Sequence, residues 1–174
     1  DTVAMSDTLD VRLTAIVYGA EDINLFEFRR PDGSDMPPFT AGAHVDVHLP
    51  NGTIRQYSIA SPQTNHARYL LGVKREAQGR GGSRFLHDEV RVGSALTLSR
   101  PRNNFALNET ASSSVLIAGG IGITPVLCMI RRLHTLGKDF RLHYAVRRRC
   151  EALLGQLVDA GAPLNLHIDD ENDG

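Results

Sequence analysis

Cysteine, tryptophan and an excess of charge of either sign are what this chain lacks. Its two cysteines, Cys128 and Cys150, make neither a disulfide framework nor a metal-ligand spacing. An iron–sulfur cluster needs about four ligands, so these 174 residues cannot hold one by themselves. Lys and Arg total 19 against 20 Asp and Glu, a net charge of -1. Generic nucleic-acid or anionic-membrane binders carry a basic excess, so neither partner is expected. No apolar run nears the roughly 20 residues of a membrane span. Residues 1–10 lack the basic start and apolar stretch of a signal peptide, and a cytoplasmic protein is expected. The seven histidines show no H-E-x-x-H or comparable spacing, so no metal is expected. There is no internal repeat. No motif surrounds a serine–histidine–acid set or a carboxylate pair, so nothing indicates hydrolysis.

What is present is a globular composition, 41% hydrophobic and 22% charged, enough for one domain or two small ones. The first hundred residues read as short strands. Val11 to Val17 and Ile23 to Phe28 flank a turn at Gly19–Ala20–Glu21–Asp22. Val45, Val47 and Leu49 alternate with Asp46 and His48, and Pro50–Asn51–Gly52 ends that strand. Tyr57 to Ala60, Arg68 to Arg75 and Leu96 to Leu98 come next. A short helix is expected from Ser83 or Arg84, with Ser83 as its N-cap and Phe85, Leu86 and Val90 along it. Six short strands predict a small antiparallel barrel over residues 1–107.

The grammar changes after a polar linker, residues 108–114. Beyond it lie strand Val115–Ala118, a helix from Pro125 to about Leu136, strand Leu142–Val146, a helix from about Cys150 to Ala160 and strand Leu164–Ile168. Thr124 reads as the first helix's N-cap, Pro125 as its N1 residue and Gly137 as its stop. This β-α-β-α-β order predicts a parallel sheet over residues 115–174. The fold class expected is therefore β plus α/β, an antiparallel barrel followed by a partial Rossmann-like sheet.

Three motifs carry chemistry. Arg55-Gln56-Tyr57-Ser58 places a cation and a ring on one strand face, since the side-chain period is two. By itself it also fits an ordinary half-exposed strand. Gly79-Arg80-Gly81-Gly82-Ser83 precedes a helix, and its glycines let backbone N–H groups approach an anion. By itself it also fits a flexible loop. Gly119-Gly120-Ile121-Gly122-Ile123-Thr124-Pro125 lies at the carboxyl end of a parallel strand, where open α/β sheets bind ligands. It is not G-x-G-x-x-G, and no acid stands about twenty residues on at a strand end, so the Rossmann rule does not assign a dinucleotide here.

Together and in this order, R-x-Y-S, G-x-G-G-S and G-G-I-G-I-T-P resemble the ferredoxin reductase superfamily. The likeness is strongest to the reductase components of aromatic-ring and demethylating oxygenases, of phthalate dioxygenase reductase and vanillate demethylase reductase type. Ala41-Gly42-Ala43-His44 and Val73-Lys74-Arg75 also match that group, and the resemblance spans residues 9 to 170. It implies that Arg55, Gln56, Tyr57 and Ser58 line a flavin, with Ser58 near the reactive ring nitrogen. Backbone groups of Gly72, Val73 and Lys74 would meet the ring edge, and Gly81, Gly82 and Ser83 would cradle phosphate. In the family the Gly-Gly-Ser loop is typical of the FMN branch, and the FAD branch usually adds an aromatic platform for adenine after R-x-Y-S; Ser61-Pro62-Gln63-Thr64 offers none, so the resemblance implies FMN over FAD.

The resemblance places NADH or NADPH on Gly119, Gly120, Ile121, Gly122, Thr124, Pro125 and Arg147. Ser58 and Thr124 would set the ring geometry for hydride transfer. Arg147, Arg148 and Arg149 fit either a 2′-phosphate or a solvated basic loop, and the acidic run from Asp169 disfavours the extra phosphate. The implied activity passes electrons from NAD(P)H through FMN to an iron–sulfur acceptor or oxygenase. Two other readings stay open: a flavin-binding module without turnover, and an FAD-containing flavin or ferredoxin reductase. Strand Val115–Ala118 should be central in such a sheet, yet no later strand is there to cover its other edge. The expectation is a fragment of a reductase roughly twice this size, with a [2Fe–2S] domain in the C-terminal part not present here.

Overall fold

A computed structural model describes residues 6–163 and 165–171. The antiparallel half contains β1 (Thr8–Ala20), β2 (Ile23–Arg29), β3 (His44–His48), β4 (Ile54–Ser58), β5 (Tyr69–Lys74), α1 (Gly82–Asp88) and β6 (Ala95–Ser99). The sheet order is β4-β3-β6-β1-β2-β5. A bridge between Ile59 and Leu71, with Ala60 N–H donating to the Leu70 carbonyl at 2.8 Å, joins the two end strands into the expected barrel.

β1 is long enough to serve two neighbours. Its first part pairs with β6 and its later part with β2. Register shifts at Leu13/Ala15 and Tyr18/Ala20 bend it between the two, as bulges do. The hairpin turn is tighter than expected: β1 runs to Ala20, leaving Glu21–Asp22 as the turn, with Asp22 at φ 60. Alternating Leu9, Val11 and Leu13 point into the core beside Phe26, Phe28 and Tyr69. The strand expected at Tyr57–Ala60 is instead Ile54–Ser58, because its pairing with β3 begins right after the Gly52 turn.

Glu27 ties the barrel wall together. Its carboxylate accepts hydrogen bonds from Thr14 at 2.7 Å, Arg29 at 2.9 Å and Arg68 at 2.6 Å. Burial alone would raise its pKa. The hydrogen bonds from Arg29, Thr14 and Arg68 outweigh it and hold the carboxyl at about 2. A folded-state pKa below the unfolded value gives stability that is present above the unfolded value, near 4.5, and lost as pH falls toward 2. Glu27→Gln should therefore flatten the acid limb of a stability–pH curve by on the order of 2 kcal/mol, measured by urea unfolding between pH 5 and 2. An unchanged acid limb would remove Glu27 from this role.

The second half contains β7 (Ser113–Gly119), α2 (Ile123–Leu136), β8 (Asp139–Val146), α3 (Leu154–Asp159) and β9 (Asn165–Ile168). The strands are parallel in the order β7-β8-β9. β7 starts two residues inside the expected linker. It lies at an edge of the described sheet, with Val115 63% and Ile117 76% exposed. α2 ends as expected at Gly137, whose φ of 64 allows the cap. The single helix expected over 150–160 is two pieces, a 3₁₀ turn at Arg149–Glu151 and α3. Ala152 is extended (φ -85, ψ 136), which breaks the helix and sends Leu153 into the core.

The two halves share one apolar core. The β1–β2 hairpin tip reaches the segment after β8. Glu21 N–H donates to the Cys150 carbonyl at 2.9 Å, and Arg148 pairs with both Glu21 at 3.2 Å and Glu151 at 3.3 Å. A Cβ on Gly19 would stand 2.6 Å from Leu153, so glycine allows that packing.

Candidate functional site

Below their single bridge, β4 and β5 diverge, and the barrel wall opens between them. A cleft of about 390 Å³ lies there. Arg55, Gln56, Tyr57 and Ser58 line it from β4, and Gly72 and Lys74 from β5. Gly79, Arg80, Gly82 and Ser83 of the glycine loop and Ile121, Gly122, Thr124 and Pro125 of the glycine turn also line it. Three segments far apart in sequence thus meet at one opening.

Arg55 and Tyr57 lie opposite the buried Val47 and Val45 of β3. Tyr57 packs on the core, and burial raises its pKa while the nearby Arg55 partly opposes that. The Arg55 stem crosses the glycine loop, since a Cβ on Gly82 would stand 2.5 Å from its Cγ. Its guanidinium donates to the Ile54 carbonyl at 2.8 Å and the Arg80 carbonyl at 3.2 Å. No carboxylate lies within ion-pair distance of it among the described residues. The Ser58 hydroxyl has no intramolecular partner among the described residues and faces the cleft.

Ser83 differs from expectation. The N-cap of α1 is Gly81, at φ 88, and Ser83 lies in the first turn. Its Oγ accepts from the Glu76 N–H at 3.0 Å, so it clasps the loop shut and keeps its own proton to donate. The helix ends at Asp88, before Val90, which is buried all the same.

Thr124 and Pro125 also shift. A 3₁₀ turn at Gly120–Gly122 carries the chain into α2, whose N-cap is Gly122. Thr124 is therefore the second helical residue and Pro125 the third. Proline is tolerated there because the first N–H groups of a helix have no intrahelical acceptor. The Thr124 hydroxyl donates to the Ile121 carbonyl at 3.2 Å. A Cβ on Gly72 would stand 2.6 Å from the Thr124 methyl, so glycine lets β5 and α2 touch at the seam between the halves.

A second cleft, of about 450 Å³, adjoins the first. Gly120, Ala145, Arg147 and Asp169, at the carboxyl ends of β7, β8 and β9, line it with Glu151. Lys74, Glu76 and Ile121 line both clefts. A Cβ on Gly119, Gly120 or Gly122 would meet nothing within 4 Å, so packing does not require these glycines. Gly120 alone needs its freedom, at φ 52. The bare backbone leaves room for close approach by a ligand.

Val73, Gly81 and Gly119 line neither cleft. Val73 points into the core at 1% exposure, and its carbonyl is 2.8 Å from His87 Nε2. Glu76 carries no motif of its own in the sequence; only its place two residues beyond Lys74 marks it there. Cys128 is buried in α2, and burial pushes its thiol up to about 11, which makes it a poor nucleophile. Among the described residues no three His, Cys, Asp or Glu converge as a metal site, and no helix is long and apolar enough to cross a membrane.

A barrel whose open seam faces the glycine-rich end of a parallel sheet has the architecture of a flavoprotein reductase. The chain belongs to the oxidoreductase FAD-binding domain family, whose profile matches residues 10–107. It is 48% identical over 172 residues to tetrachlorobenzoquinone reductase of Sphingobium chlorophenolicum, covering 96% of this chain and 53% of that protein. It is 50% identical over 128 residues to vanillate O-demethylase oxidoreductase of Pseudomonas putida, covering 74% and 40%. Among solved structures it is similar to phthalate dioxygenase reductase, described as a modular structure for electron transfer from pyridine nucleotides to [2Fe–2S]. That match has a TM-score of 0.89 and 39% identity, covering 95% of this chain and 53% of that one. The chain spans about half the length of the curated relatives it matches.

Proposed function

We propose that the first cleft binds FMN and the second the nucleotide part of NADH or NADPH. The chain would then pass electrons from the nicotinamide through the flavin to an iron–sulfur or oxygenase partner. The observation that carries this reading is the single cleft joining Arg55–Ser58, Gly79–Ser83 and Ile121–Pro125. Those residues fit a flavin mononucleotide. Arg55 and the N–H groups of Gly82 and Ser83, in the first turn of α1, suit a phosphate. Tyr57 offers a ring, and Ser58 a hydroxyl without an internal partner.

FMN is favoured over FAD by the segment just after β4. Ser61 is buried, and its hydroxyl accepts from the Leu70 N–H at 3.2 Å. Gln63 accepts from the Ala41 N–H at 2.9 Å. Both side chains are turned to the barrel, and no aromatic ring stands there for an adenine to stack on. When bound, the flavin accepts a hydride and releases electrons singly. The protein's part is to hold the two rings in register and keep water from the gap. The Thr124–Gly72 contact fixes the distance between the halves, and the Ser58 hydroxyl can hold a hydrogen bond to the flavin ring.

Flavin extraction and anaerobic titration test this. The purified chain, saturated with flavin, should bind FMN at least about tenfold more tightly than FAD. Its flavin absorbance should bleach on adding NADH or NADPH without oxygen. Tighter binding of FAD would overturn the FMN assignment. A bound flavin that neither nucleotide bleaches would leave a binding module without turnover.

A further inference from the structure

We propose that His143 and His167 form a two-histidine site for a first-row divalent transition-metal ion such as Ni²⁺, Cu²⁺ or Zn²⁺. Neither residue lines the first or the second cleft, so the site stands apart from the flavin reading.

The pair is made by the sheet and not by sequence spacing. The two histidines are 24 positions apart, on neighbouring parallel strands. In the β8–β9 register His143 lies opposite Asn165, and His167 opposite Ala145. The rings are therefore diagonal neighbours. Side chains alternate between the faces of a strand. Leu142, Tyr144 and Val146 of β8 and Ile168 of β9 enter the core shared with α2. His143 and His167 thus stand together on the opposite face, where His167 is exposed and His143 half-buried.

The distance suits a metal. His143 Nδ1 and His167 Nε2 are 3.2 Å apart. Zinc–imidazole bonds are about 2.0–2.1 Å, so an ion bonded to both nitrogens would hold them at about 100–105°, near the tetrahedral angle. The ring centroids are 5.5 Å apart, farther than the nitrogens, so the two nitrogens point toward each other from facing ring edges. The histidine χ2 torsion is broad, and a turn of each ring brings both lone pairs onto one ion at little cost.

The protons also balance. Without metal, one of the two nitrogens donates its proton to the other. On binding, that ring carries its proton on its second nitrogen instead, and both lone pairs become ligands. His143 Nε2 and His167 Nδ1 have no hydrogen-bond partner in the protein among the described residues, so either can hold that proton. Imidazole selects ions toward the copper end of the divalent series over magnesium and calcium, which take oxygen ligands. The remaining coordination positions are open to water.

Arg141 shares this face, two residues before His143 and on the side away from His167, about 7 Å along the strand. Across that distance in water its charge opposes the ion only weakly. Among the described residues β9 pairs with β8 alone, so an ion here staples the outer strand to the sheet.

The test titrates the purified chain with Ni²⁺, Zn²⁺ and Mg²⁺ by calorimetry near neutral pH. The chain carries Cys150→Ser, so that the exposed thiol does not take the metal. One Ni²⁺ or Zn²⁺ should bind per chain, and Mg²⁺ should not. His143→Gln and His167→Gln should each weaken Ni²⁺ binding about tenfold or more. His66→Gln, at an exposed position elsewhere, should leave it unchanged. Ni²⁺ at about 100 times its Kd should raise the melting temperature by about 5 °C or more, and neither variant of the pair should show that rise. Bound Cu²⁺ should show coupling to two nitrogens in its electron paramagnetic resonance spectrum.

Ni²⁺ affinity within threefold of the parent in both variants of the pair would overturn the proposal, because the metal would then sit on other residues. Binding of all three transition metals no tighter than about 1 mM would also overturn it and leave the pair as a hydrogen bond only. The copper spectrum needs no variant: coupling to fewer than two nitrogens in the parent chain would overturn it as well.

Discussion

Arg55→Ala should weaken FMN binding by about 100-fold while leaving the barrel folded. Hydrogen bonds to charged groups contribute about 1.5–3 kcal/mol each, and each 1.4 kcal/mol is about tenfold in affinity. Arg55 is placed for two such bonds. Its stem is pinned across Gly82, and its guanidinium is oriented by the Ile54 and Arg80 carbonyls. Little freedom is lost when a phosphate arrives, so most of the interaction appears as affinity. Arg55→Lys should recover part of the loss, because an ammonium keeps the charge but not the planar fork. Quenching of FMN fluorescence reads the affinity, and thermal unfolding of the flavin-free protein reads the fold. FMN affinity within threefold of wild type in Arg55→Ala would move the phosphate site elsewhere. An equal fall in melting temperature without flavin would make Arg55 a structural residue.

Gly42→Ala should be the most damaging single methyl group in the barrel. Gly42 has a φ of 102, a region that side chains with a Cβ rarely enter. A Cβ there would stand 1.9 Å from the backbone carbonyl oxygen of Phe105. That carbonyl cannot swing away at low cost. Asn103 fastens its segment to the Thr40 and Ala41 carbonyls at 3.3 and 3.0 Å and to the Thr40 hydroxyl at 2.7 Å. The same Asn103 accepts from the Phe105 N–H at 3.0 Å. Backbone strain of about 1–3 kcal/mol and the overlap together should cost at least about 3 kcal/mol. For a chain of this size that lowers the melting temperature by roughly 10 °C. Gly42 lies outside both clefts, so the loss should appear in flavin-free protein. A melting temperature within about 2 °C of wild type would mean that residues 40–42 and 103–105 do not touch in solution.

Most elements were legible because their signals are local. The alternation of Val45 and Val47, the Gly52 turn and the β-α-β-α-β order depend on neighbours a few residues away. The errors also have local causes. Ser83 and Thr124 are good capping residues, but in each case a glycine two positions earlier took the cap. Ser83 then became free to hold Glu76, and Thr124 to contact Gly72. The second helix broke at Ala152 because Leu153 is drawn into the core against the β1–β2 hairpin, a contact no window of sequence contains.

By itself the sequence determined the strands, the glycine turns and the three motifs with their order. It could not say that β4 and β5 are the end strands of the barrel sheet, or that they part after one bridge. That parting makes the cleft and brings Arg55, Ser83 and Thr124 to one opening. Nor could it sort the cations, since Arg148 is neutralised by Glu21 from the far hairpin while Lys74 is left facing the boundary of both clefts. Side-chain period and turn chemistry act over a few residues and are written in the chain. Which charge meets which depends on strand order and on the packing of the two halves, which only the folded protein decides.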